Sequence, residues 1–132
     1  MLIGPSLHIT WEELACKDGT SYPSKYVCDG RLIELITVFE RIRQHFGGRP
    51  IRINSAFRTL SYNKEVGGSP NSQHLMGRAL DLQPPSKLTV DQFYFELKRN
   101  ADWMGITGLG KYKTFCHIDI RKSDKLITWD LS

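Results

Sequence analysis

From Arg31 to Phe46 the apolar residues Leu32, Leu35, Ile36, Phe39, Ile42 and Phe46 recur at three- and four-residue intervals. That spacing places them in one stripe on a helix and predicts that the stripe is core. Gly47-Gly48 stops it. A second long helix is predicted from Thr89, an N-cap whose box Gln92 completes, to about Met104. Val90, Phe93, Tyr94, Leu97 and Ala101 form its stripe, and Gly105 ends it. Thr10 to Glu13 has the T-x-x-E form of a capping box and opens a short helix toward Cys16. The stretch KDGTSYPSKYVCDG reads as loop, and LSYNKEVGG as a helical turn or two closed at Gly67.

Elsewhere the period changes to two. In IRINSAFR, Ile51, Ile53, Ser55 and Phe57 fall on one side of a strand, with Arg52, Asn54, Ala56 and Arg58 on the other. From Arg78 to Leu82, Leu80 and Leu82 oppose Ala79 and Asp81. In FCHIDIR, Cys116, Ile118 and Ile120 oppose Phe115, His117, Asp119 and Arg121. The glycine-punctuated remainder predicts a hairpin or meander. Helices and strands interleave but the last strands lie close together, which favours an α+β class over a doubly wound sheet. One domain over 1–132 is expected, with its core from about 10 to 129, as a monomer.

Composition narrows the class. The chain is 40% apolar and 24% charged, the balance of a globular protein. No segment approaches the roughly 20 apolar residues of a membrane span. MLIGPSLHIT lacks the basic and apolar regions of a secretory signal, so synthesis and folding in a cytoplasm are expected. Cys16, Cys28 and Cys116, an odd count outside any C-x-x-C, are expected as reduced, buried thiols. The net charge of +4 suits an anionic partner, but the basic residues are scattered and no nucleic-acid motif appears, so no nucleic-acid partner is expected.

The stretch SQHLMGRALDL places His74 and Asp81 seven residues apart. Two helical turns would put both on one solvated face, but Gly77 between them and Pro84-Pro85 after them leave no room for an ordinary helix. His117, on the polar side of its strand, supplies a third group. Two histidines and a carboxylate with one open position are a catalytic zinc arrangement. Each residue also has a plainer role: Asp81 as a solvated strand-end carboxylate, His117 as a buried histidine bonded to Asp119. His8 and His45 are read as ordinary surface or core residues.

The motifs S-A-F-R at 55–58, S-x-H-x-x-G-x-A-x-D at 72–81 and G-x-G-x-Y-x-x-F-x-H-x-D at 108–119 occur in order. Together they resemble the zinc D-Ala-D-Ala carboxypeptidase and murein endopeptidase superfamily, and within it the small phage-type peptidases. The resemblance implies a hedgehog-like fold with a central antiparallel sheet and helices packed on it, and one catalytic zinc held by His74, Asp81 and His117. It implies stem peptides of bacterial peptidoglycan as substrate and action at the cell wall after release, or as a virion component. Arg58 stands at the family's arginine, suited to a peptide carbonyl or carboxylate. Ser72 is placed to orient His74 and to line the substrate site, and Gly77 to let the turn pass close to the metal. One departure is visible. Several relatives carry a glutamate three residues before the last histidine, and Thr114 stands here. Asp119, about 6.8 Å along the strand from His117, is then the leading candidate base, or a partner of a ligand histidine. A binding or structural module on the same fold is the alternative to an enzyme.

Overall fold

The computed structural model describes residues 4–132. Met1 to Ile3, where the segment read as lacking a leader begins, lie outside the described residues. The elements are α1 (Trp11–Leu14), α2 (Ser24–Cys28), α3 (Arg31–His45), β1 (Ile53–Ser55), α4 (Leu60–Glu65), β2 (Ala79–Leu82), α5 (Val90–Met104), β3 (Gly108–Lys111), β4 (Cys116–Asp119) and β5 (Ile127–Asp130). This is the α+β class the patterning predicts. Among the described residues no helix is long and apolar enough to cross a membrane.

The two long helices form for the reasons their sequences give. Thr89 and Gln92 close a full capping box on α5, and Gly105 ends it in the left-handed conformation. Thr10 and Glu13 do the same for α1. α3 buries Leu32, Leu35, Ile36, Val38, Phe39 and Ile42, and α5 buries Phe93, Leu97, Ala101 and Met104. Val90 and Tyr94, expected in the α5 stripe, pack half-buried at its edge.

The five strands run in the order β1-β2-β4-β3-β5. Neighbours are antiparallel except β3 and β5, which are parallel. The expected hairpin is β3–β4, closed by residues 112–115. β5 departs from a meander, because residues 120–126 carry the chain across and it pairs again parallel to β3. Leu80, Leu82, Leu109, Cys116 and Ile118 face the helices and are fully buried. The opposite face carries Asp81, His117 and Asp119.

Three further expectations change. The 17–30 stretch is not all loop, because Ser24–Cys28 forms α2. The strand predicted over 51–58 is only Ile53–Ser55, with a register shift between Ile53 and Ser55. Its tail leaves the sheet: Phe57 N–H donates to the Leu14 carbonyl and Arg58 N–H to that of His74. All three cysteines are free, and Cys16 and Cys116 are buried, but Cys28 is exposed.

Candidate metal centre

The sheet itself sets half of the site. Asp81 on β2 and His117 on β4 are direct register partners, so strand alternation turns both side chains to the same face. His74 arrives from the irregular 68–78 segment. Its Nε2 lies 3.0 Å from Asp81 Oδ1, and His117 Nδ1 lies 3.0 Å from the same oxygen. All three residues are buried, and one ligand atom from each lies within 4.8 Å of the other two.

The outer nitrogens fix what the inner ones present. His74 Nδ1 sits 2.6 Å from the Ala56 carbonyl and His117 Nε2 2.7 Å from Asp119 Oδ2. Both oxygens accept only, so both outer nitrogens donate. When neutral, each ring turns a lone pair toward Asp81 Oδ1; when it takes a second proton, the same nitrogen donates to that oxygen. Three acceptors converging in a buried space call for a cation, and two imidazoles with one carboxylate suit zinc. Burial pushes the His74 pKa down, which keeps that ring neutral. For His117 burial acts the same way, but hydrogen bonds to Asp119 and Asp81 outweigh it and raise its pKa. Burial would raise the Asp81 carboxyl, yet bonds from His117 and His74 hold it well below the usual carboxylate range.

The remaining predicted residues are placed as follows. Arg58 spans the floor: Nη2 donates to Asp81 Oδ2 at 3.3 Å, Nε to Ser55 Oγ at 3.2 Å and Nη1 to Asn63 Oδ1 at 3.3 Å. Ser72 Oγ accepts the His74 backbone N–H at 3.2 Å. Asp119 is completely buried and does not line the cleft. Besides its bond to His117, its oxygens accept Arg121 Nη2 at 2.7 Å, Arg121 Nε at 2.9 Å and the Arg121 backbone N–H at 3.1 Å. Burial opposes ionisation of Asp119, but Arg121 and His117 overcome it and hold the carboxyl at about 2. Thr114 is exposed in the turn between β3 and β4, away from the cleft. His8 pairs with Glu40 at 2.8 Å and His45 with Glu96 at 3.2 Å, both outside the site.

The turn after His74 is held from outside the sheet, a device that sequence reasoning misses. Three consecutive carbonyls are taken by side chains from 22–31. Tyr26 Oη donates to Leu75 at 3.4 Å, Arg31 Nη1 to Met76 at 2.7 Å and Tyr22 Oη to Gly77 at 2.7 Å. Gly77 adopts φ +66°, and a Cβ there would lie 2.6 Å from Tyr26 Cδ2 and 2.8 Å from Tyr22 Oη. The expectation that Gly77 lets the chain approach the metal is therefore corrected. Its missing side chain makes room for the two tyrosines.

The three ligands and Arg58 open on a cleft of about 630 Å³. Its lining draws on neutral polar residues of the 67–73 segment and on Tyr112, Phe115, Trp129 and Leu131. Among the described residues Asp81 is the one carboxylate that lines it. Arg121 and Trp129 carry no local signal of their tasks, which depend on what lies across the sheet.

The family model described as Peptidase M15 matches residues 7–119. Over 79 residues, 58% of this chain, the sequence is 33% identical to a zinc D-Ala-D-Ala carboxypeptidase of Streptomyces albus G. That match spans 31% of the relative's length. The family match takes in Arg58, Ser72, His74, Asp81, His117 and Asp119, the residues that converge on the site. The chain belongs to the peptidase M15 family.

Proposed function

We propose that the chain is a zinc peptidase that hydrolyses stem peptides of bacterial peptidoglycan, with His74, Asp81 and His117 holding one zinc ion. The observation that carries the reading is the convergence of two imidazole lone pairs and one carboxylate oxygen at the floor of an open cleft. Zinc bound there supplies a Lewis acid that polarises a carbonyl and acidifies water. The chain's own residues do the rest. Arg58 spends three of its five N–H donors on Ser55, Asn63 and Asp81, which leaves two for a substrate carbonyl or carboxylate. Its bond to Asp81 Oδ2 also turns the other oxygen toward the histidines. Asp119 fixes the ring and tautomer of His117. A carboxyl held at about 2 by Arg121 and His117, and off the cleft, suits that orienting task better than accepting a proton. Action at the cell wall in a phage-type lytic role is part of this proposal.

A second reading has an observation of its own. The cleft offers no carboxylate besides Asp81 among the described residues, which favours a zinc-containing binding module that does not hydrolyse. Purified peptidoglycan incubated with the zinc-loaded and the chelated chain, followed by mass analysis, separates the two. Fragments that appear only with zinc are expected. A single terminal residue released marks a carboxypeptidase and larger pieces an endopeptidase; an unchanged polymer with zinc in place would establish the binding module.

A further inference from the structure

The matched family residues end at Asp119, yet the cleft does not. Arg121, Trp129 and Leu131 line it from the segment beyond. The register explains how β5 reaches the site. Asp81, His117, Gly110 and Trp129 lie in one row across β2, β4, β3 and β5. Gly110, between His117 and Trp129, has no side chain, and a Cβ there would collide with the Trp129 indole. The indole leans across that gap until its centroid is 5.2 Å from that of His117.

Two contacts set its orientation. Trp129 Nε1 donates to Tyr112 Oη at 3.0 Å, and the Arg121 guanidinium sits 5.1 Å from the indole centroid. Tyr112 in turn stacks on Phe115, with centroids 4.6 Å apart and planes 4° from parallel. The result is a linked aromatic group beside His117, in a cleft that Ser69, Asn71, Ser72 and Gln73 also line. A cleft lined by both polar and aromatic residues fits an extended peptide, its backbone bonded to the former and an aliphatic side chain against the latter.

We infer that Trp129 is a specificity-determining residue, whose indole receives the aliphatic side chain of the substrate residue lying next to the metal ligands. In a stem peptide that side chain is the methyl of an alanyl residue, so the inference rests on the peptidase reading above. Fluorescence reads it without disturbing the site. Trp11 and Trp103 are both partly exposed and stand outside the cleft. A W11F/W103F double variant therefore leaves Trp129 as the sole indole. Zinc-loaded protein of this kind should shift its emission when titrated with a sugar-free stem peptide, and less with the same peptide carrying glycine for alanine.

In the otherwise unaltered chain, Trp129→Ala should raise KM for the alanyl peptide about tenfold, the usual worth of a lost apolar contact. Changes in kcat and zinc content should be small, and Trp129→Phe should recover most of the affinity. Cleavage with an unaltered KM in Trp129→Ala would overturn the inference and leave the peptidase reading standing. An emission shift with no cleavage would do the reverse, keeping the aromatic contact and refuting hydrolysis. No shift with any sugar-free peptide overturns the inference, and a shift only with disaccharide-bearing peptides replaces it with a sugar platform.

Discussion

His117 turns one ring nitrogen to Asp81 and the other to Asp119, and Arg121 in turn holds both oxygens of Asp119. Asp119→Asn keeps the size of the side chain but weakens that outer hold. Zinc affinity should fall by roughly 10–100-fold, the usual effect of losing a partner of a ligand histidine, and excess zinc should restore activity. His74→Ala, Asp81→Ala and His117→Ala should lose the ion outright, while His8→Ala and His45→Ala retain it. Chelator competition measures all six. Unchanged affinity in Asp119→Asn with turnover lost at saturating zinc would return Asp119 to proton transfer. Alternation puts Asp81 and His117 on the polar sides of their strands. His74 lies on no strand, and the full set is legible only through the S-x-H-x-x-G-x-A-x-D motif and the family it resembles. Arg121 shares the face of His117, but its task follows from the burial of Asp119, which no local pattern records.

α2 contributes no buried residue of its own, yet Tyr26 on it and Tyr22 and Arg31 beside it hold the carbonyls of 75–77. Tyr22→Phe removes only the hydroxyl from the Gly77 carbonyl. The unpaired group should cost about 1–3 kcal/mol, and zinc affinity should drop because the turn carries His74. Thr89→Ala is the comparison, since loss of that cap costs about 1 kcal/mol at a residue outside the cleft and should leave zinc affinity alone. Thermal melts with chelator competition on both variants separate positioning from general weakening; equal zinc affinity in the two would end the positioning account. The same contrast explains which elements the sequence reveals. α3 and α5 bury a stripe, with a capping box opening α5 and Gly105 closing it. α2 has neither stripe nor side-chain cap, and the largely exposed β5 has no alternation to mark its direction.

Across the whole molecule, Asp81 and His117 are neighbours on paired strands but lie 36 residues apart in the chain, with all of α5 between them. His74 and Asp81 can meet locally; His117 joins them only where β2 pairs with β4. An ion held by all three therefore belongs to the folded chain and hardly at all to the unfolded one. Zinc at about a thousand times its dissociation constant should add about 4 kcal/mol to global stability. A rise in melting temperature, seen alike by circular dichroism and by tryptophan emission, would record it. An unshifted melt with zinc bound would mean that the unfolded chain holds the ion equally well. The strand pairing that aligns the ligands thus makes the ion a stitch across a long loop. Starved of metal, the chain should open more often along its whole length, and proteases should shorten its lifetime as well as chelators its activity.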